Sequence, residues 1–246
     1  KEQINLITRW VDAGAVWKQH WAYEQPKWTA APPVTQDVSS WIDAFVAEKL
    51  AVAGGTFSPP ADRITLARRL CFDLTGLPLT PSQAEFMASN MSPNGTLQFV
   101  EELLASPAFG ERMASYWLDL TRFADTVGYH GDQDHNISLY RDYVIDAFND
   151  NRPFDQFTLE QIAGDLLPNP SAEQLIATGY NRMLQTSHEG GVKPREYLAI
   201  YAADRVRNLS AVWMGATVGC AQCHDHKFDP YTARDFYALA AFFADV

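Results

Sequence analysis

Thr80-Pro81-Ser82-Gln83 is a complete helix start written in four residues. It offers a side-chain oxygen for an orphan backbone N–H, a proline at the first helical position, and a glutamine three residues on that can reach back. Ser171-Ala-Glu-Gln174 repeats the device without the proline, and Thr232-Ala-Arg-Asp235 caps a final helix rich in Phe and Tyr. Pro59-Pro60-Ala-Asp62 opens another helix, which Gly76 and Pro78 stop after Leu74. Further helices are expected near 41–50, 96–105, 108–124, 138–149 and 156–166. A long one runs from 196 to about 218, where Tyr197, Ile200, Tyr201, Val206, Leu209, Val212 and Trp213 recur at helical spacing. The connections carry Pro93-Asn-Gly95, Gly128-Tyr-His-Gly131 and Arg152-Pro153. No stretch alternates as a strand would. The fold class is mainly α: an irregular multi-helix domain with long loops.

At 246 residues the chain is long enough for one large domain or two small ones. Residues 1–19 read as the end of a preceding unit, with Ile4, Ile7, Trp10 and Val11 on one helix face and Gly14 as its cap. Residues 20–246 form the main domain. Within it, residues 22–40 hold Pro26, Pro32, Pro33, Ser39 and Ser40 and read as a linker or an extended wrap. The start at Lys1 without Met, and the stop just after an apolar helix, suggest a piece of a longer chain.

The formal net charge is −11, from 19 basic and 30 acidic residues. Nucleic acid is excluded as a partner on that ground, because phosphate binding needs concentrated Lys and Arg. No apolar run approaches the roughly 18 residues of a membrane span, so no transmembrane segment is expected in this stretch. There is no nucleophile elbow, phosphate loop or dinucleotide fingerprint. Asp132-Gln-Asp134-His-Asn136 starts like a calcium loop but lacks the Gly at its sixth position and the Glu at its twelfth, so it is not an EF-hand.

The chemistry is concentrated in Gly219-Cys-Ala-Gln-Cys-His-Asp-His-Lys-Phe-Asp-Pro230, at the expected end of the long helix. Two thiols three positions apart can each add to one vinyl group of a porphyrin, and the His that follows can ligate its iron. On that reading Cys220 and Cys223 form the thioethers and His224 is the proximal ligand of haem c. Zinc bound by Cys220, Cys223, His224 and His226 is an alternative, although zinc modules usually draw a second ligand pair from a distant segment. A redox-active Cys-x-x-Cys would want a βαβ unit that is not visible. The third cysteine, Cys71, fits a helix face as a small hydrophobe.

Other residues could complete a haem site. His20, in an aromatic setting, and His188, in a glycine-bearing loop, are the distal candidates. His130, His135, Met183 and Met214 are further possibilities, and His226 is a second-shell candidate that could also make an ordinary turn hydrogen bond. Asp125, Glu160, Asp165 and Glu189 could do acid–base work in a cleft. Arg68, Arg69, Arg205 and Arg207 are expected in ion pairs.

A set of ordered motifs carries a resemblance. They are His20-Trp-Ala-Tyr23, Ala61-Asp-Arg63, Arg68-Arg-Leu70, Asp73-Leu-Thr-Gly-Leu-Pro78, Tyr140-Arg-Asp-Tyr-Val-Ile-Asp-Ala-Phe-Asn149, Gln161-Ile-Ala-Gly-Asp-Leu-Leu-Pro168, Glu189-Gly-Gly191 and Cys220-Ala-Gln-Cys-His-Asp-His-Lys-Phe-Asp-Pro230. Together they resemble the second planctomycete-type cytochrome c domain, a family catalogued as a domain of unknown function, over about residues 20–246. Residues 9–17 resemble the closing helix of the small cytochrome c domain that usually precedes it. The resemblance implies an exported protein, periplasmic or at the cell surface. It implies electron exchange with a redox partner protein or an adjacent cytochrome c domain, and it ranks His20 ahead of His188 as distal ligand. Peroxidase-like or oxidative catalysis, with His188 or Glu189 near the iron, is the enzymatic alternative. A non-catalytic scaffold with a Cys/His zinc site is the other.

Overall fold

The computed structural model describes residues 1–16, 20–33, 40–90, 92–129, 131–187 and 189–244. They form two compact units, Lys1–Pro60 and Ala61–Val246. Among the described residues the regular structure is helical, with one isolated antiparallel bridge, between Thr126 and Asp134. None of these helices is long and apolar enough to cross a membrane.

The first unit contains α1 (Glu2–Asp12), a 3-10 turn (Trp21–Tyr23) and α2 (Trp41–Val52). The apolar face foreseen on α1 is present but open to solvent: Ile4, Ile7 and Trp10 are all exposed. Ser40 caps α2 by accepting the Asp43 N–H at 3.1 Å. The stretch foreseen as a linker lies partly outside the described residues.

The second unit holds α3 (Arg63–Thr75), α4 (Pro81–Ser89), α5 (Pro93–Leu104), α6 (Pro107–Thr121), α7 (Ser138–Asn149), α8 (Phe154–Ala163), α9 (Ala172–Ala177), α10 (Pro194–Met214) and α11 (Ala233–Ala241). The capping boxes read at Thr80 and Ser171 form, and the cap read at Thr232 is a capping box as well. Gly76 ends α3 in the left-handed region at φ 69°. One loop expectation is corrected. Pro93-Asn-Gly95 is the first turn of α5, because Ser92 caps it by accepting the Gly95 N–H at 3.2 Å and the proline needs no N–H there.

Three buried clusters hold this unit together. Cys71 packs with Ala67, Met87, Phe99 and Leu103 between α3, α4 and α5. Burial raises its thiol pKa, as suits a small core hydrophobe. The largest cluster joins α6, α7, α8 and α9 through aromatic rings, with Trp117 4.9 Å from Phe157 and 4.8 Å from Trp213. Gln161 is fully buried inside it, and its Oε1 accepts from Tyr140 Oη at 2.6 Å and Trp117 Nε1 at 2.9 Å. The third cluster packs α10 and α11 around Val206, Val218, Ala221 and Phe236.

Beside the aromatic cluster lies a buried carboxylate, Glu160, only 2% exposed. Its Oε2 accepts from Tyr143 Oη at 2.8 Å and Arg152 at 2.7 Å, and its Oε1 from Gln156 at 2.9 Å and Gln174 at 3.3 Å. Burial alone would raise its pKa. The hydrogen bonds from Gln156, Tyr143, Arg152 and Gln174 outweigh that and hold it below the ordinary 4.5. Arg152 also reaches Glu173 at 3.2 Å and lies over the Tyr143 ring. One ionised pair therefore fixes α7, α8 and α9 to each other.

Arg152→Met leaves a buried carboxylate without its cation, and should destabilise the fold by about 3–5 kcal/mol in urea unfolding. The glutamate's folded pKa is depressed, so its stabilising contribution is present above the unfolded value and lost as pH falls through the folded one. Urea midpoints of the native protein should therefore drop below about pH 4.5, and Glu160→Gln should flatten that dependence.

Candidate functional site

The cysteine–histidine stretch does not continue α10. That helix stops at Met214, and Gly215, at φ 58°, caps it in the left-handed region. The expectation of helix to about 218 is corrected here. Apolar spacing runs on through Ala216 and Val218, but those two side chains are buried from a non-helical segment and a separate 3-10 turn (Val218–Gln222). Cys220 therefore sits on a short turn pinned between α10 and α11.

Five contacts pin it from below. Ala221 is fully buried in the α10–α11 cluster. The Arg207 guanidinium on α10 donates to Gln222 Oε1, and Tyr237 Oη on α11 donates to the Gln222 carbonyl at 3.1 Å. Arg207 also lies flat against Gly219, where a Cβ would stand 2.6 Å from Arg207 Cγ. Asp225 Oδ1 accepts the Ala233 N–H at 2.8 Å, tying the residue after His224 to the start of α11. These fixings turn the reactive groups outward. Cys220 and Cys223 are exposed and free of any disulfide, and His224 is exposed.

The two histidines are held in opposite senses. His224 Nδ1 is 2.8 Å from the Asp225 carbonyl oxygen. A carbonyl only accepts, so in the neutral ring Nδ1 carries the proton and Nε2 presents its lone pair; among the described residues no hydrogen bond engages Nε2. His226 is the reverse. Its Nδ1 accepts the Asp229 N–H at 2.8 Å and the Phe228 N–H at 3.3 Å, so in the neutral ring Nε2 carries the proton and donates to Thr217 Oγ1 at 2.9 Å. The His226 backbone N–H donates to the Tyr231 carbonyl at 2.7 Å. His226 thus closes the loop from Thr217 to Tyr231. Asp229 Oδ2 lies 3.6 Å from its ring, and Lys227 Nζ lies over the exposed Phe228 ring at 5.3 Å.

The remaining candidates are dispersed. His20 caps the 3-10 turn in the first unit, accepting the Ala22 N–H at 3.3 Å, while the cysteines belong to the second unit. His188 and His130 lie outside the described residues. Met183 is buried in the aromatic cluster, and Met214 is half-exposed at the end of α10. Glu160 belongs to the buried pair, and Glu189 and Asp165 are exposed. Asp132 Oδ1 accepts the Gly128 N–H at 2.8 Å, a turn contact. Among the described residues no three His, Cys, Asp or Glu side chains converge as a metal-ligand group. Among the described residues neither Arg207 nor Arg205 makes an ion pair, and Arg205 Nε donates to the Asn181 carbonyl at 3.0 Å. Sequence reading missed Arg207, Gln222, Thr217 and Tyr237 as supports of this turn. The Gly215 stop signal was available to it, but the contacts across α10 and α11 were not.

A family model, PSCyt2, described as a protein of unknown function (DUF1549), matches residues 41–246. No curated protein and no solved structure matches the chain.

Gly219→Ala should push Arg207 off the turn and lower stability by about 1–3 kcal/mol. Changed amide shifts at Gln222 and Cys223 would report the displacement. An unchanged spectrum and melting point would show that Arg207 yields at no cost. Two-bond nitrogen–proton correlation spectra near neutral pH should show the Nδ1–H tautomer for His224 and the Nε2–H tautomer for His226.

Proposed function

This chain belongs to the PSCyt2 family, and we propose that its second unit is a c-type cytochrome domain that carries one covalent haem and acts in electron transfer. Cys220 and Cys223 would hold the porphyrin through thioethers, and His224 would ligate the iron through Nε2. The observation that carries the reading is the His224 tautomer. A backbone carbonyl accepts a hydrogen bond from Nδ1–H and leaves the Nε2 lone pair unengaged, which is the tautomer that suits a haem-ligating histidine. Two free, exposed thiols on the same turn agree with it. When bound, haem supplies a one-electron iron couple whose potential follows its axial ligands and exposure.

His226 has a supporting role in this reading. By bonding Thr217 and the Asp229 amide it fixes the loop on which the His224 ring is oriented. As the family resemblance implies, the distal ligand would be His20 or His188. The electron partner would be a redox protein or an adjacent cytochrome c domain, in an exported, periplasmic or cell-surface setting. A zinc scaffold finds less support, because the four Cys and His side chains do not gather into a ligand group among the described residues.

The test is expression with the cytochrome c maturation machinery, read by intact mass and reduced-minus-oxidised spectra. One haem per chain is expected, abolished in the Cys220→Ala, Cys223→Ala double variant. His224→Ala should keep the covalent mass while altering the spectrum. A chain of unmodified mass with no Soret band would overturn the proposal. A low-spin spectrum indifferent to cyanide supports electron transfer, and a ligand-accessible high-spin iron supports the enzymatic alternative instead.

A further inference from the structure

The second unit contains a cavity of about 360 Å³ that none of the cysteine–histidine stretch lines. Backbone pairing builds one wall. Thr126 bridges Asp134, the Val127 N–H donates to the Gln133 carbonyl at 2.9 Å, and the Thr186 N–H donates to the Val127 carbonyl at 3.2 Å. Arg122 builds another. It ends α6 at φ 61° and clamps Asp204 with two bonds of 2.9 and 2.7 Å, while a third bond of 3.1 Å reaches the Met183 carbonyl.

The charges do not balance. Asp204 is the one carboxylate among the described lining residues, and it is paired with Arg122. Arg182 lines the same cavity, and among the described residues no hydrogen bond or ion pair reaches its guanidinium. Arg205, next to Asp204 on α10, is half-buried with only a carbonyl on its Nε. Burial and then the charge of Arg182 lower its pKa, and the charge of Asp204 opposes them without reversing the direction. In a chain of formal net charge −11, an uncompensated cationic hollow is the exception. Fields focused into such a hollow concentrate counter-ions of the opposite sign. His135 and Gln185 line it as well and add polar groups.

We propose that this cavity is a binding site for a small organic anion, recognised through a phosphate or carboxylate group by Arg182, with His135 and Gln185 as polar contacts. Its volume lies at the small end of the range of about 300–1,000 Å³ typical of small-molecule sites, so the anionic group would carry a modest organic body. The site is independent of the haem assignment.

Calorimetric titration of the purified chain with inorganic phosphate and with citrate, at low ionic strength, tests this. At least one should bind. Phosphate alone assigns a phosphate group, citrate alone a carboxylate, and both assign an anion site of either kind. Arg182→Gln should weaken binding about tenfold or more, as expected for loss of a charge-assisted fork. Arg182→Lys should fall between Gln and wild type, because it keeps the charge and loses the fork. Arg141→Gln, at an exposed arginine paired with its neighbour Asp142, should leave affinity unchanged. Absence of binding to the wild type overturns the proposal, as does equal loss in Arg182→Gln and Arg141→Gln, which would mean diffuse surface attraction. Among the described residues the Arg182 guanidinium holds no other group, so its variants should melt with the wild type; a variant that unfolds would overturn the assignment of Arg182 as a free ligand contact.

Discussion

The Arg152–Glu160 pair is the constraint from which the second unit is laid out. A carboxylate this deeply enclosed is tolerated only when its oxygens are fully engaged, and here four donors from α7, α8, α9 and the α7–α8 connection converge on it. Sliding any of these helices would strand the charge. The order passes outward by hydrogen bonds. Tyr180 Oη, in the adjoining aromatic cluster, donates to Asn208 Oδ1 on α10 at 2.8 Å, and Asn208 Nδ2 donates to the Leu120 carbonyl on α6 at 3.1 Å. With α10 fixed, Val206 and Ala203 present the surface on which Val218, Ala221 and Phe236 pack. The exposed thiols thus inherit their position from a charge pair in another layer of the domain.

Histidines two residues apart in one loop show how backbone geometry divides labour between identical side chains. His224 meets a carbonyl and is left with an outward lone pair; His226 meets two amides and is left with a proton for Thr217. Nothing in the residue type distinguishes them. The loop between the 3-10 turn at Val218–Gln222 and α11 does so by offering an acceptor to one ring and donors to the other, which makes one ring suited to ligation and the other to bracing.

Local signals were readable, and through-space ones were not. The caps at Thr80, Ser171 and Thr232 form as read because their partners lie within four residues. Pro93-Asn-Gly95 carries turn-forming residues that mask the Ser92 cap, and apolar spacing that continues past Gly215 extends the expected α10 four residues beyond its end at Met214. The cysteines and His224 were legible as chemistry from their spacing. Their supports were not, since Arg207 and Tyr237 belong to helices on either side and meet Gln222 only once both have packed. Arg182 gave no signal at all, because what marks it is the pairing of its neighbour Asp204 with Arg122.

Ala221 and Gln222 occupy the two positions between the cysteines that a spacing rule treats as blanks. In this fold they are the footing. Ala221 is fully buried in the α10–α11 cluster, and Gln222 is held at both its side-chain amide oxygen and its backbone carbonyl. The residues with reactive groups face solvent and could be exchanged with little effect on packing, whereas the two chemically silent ones could not. A pattern that matches cysteines and histidine alone therefore describes the half of this stretch that the fold is indifferent to, and passes over the half that gives it shape.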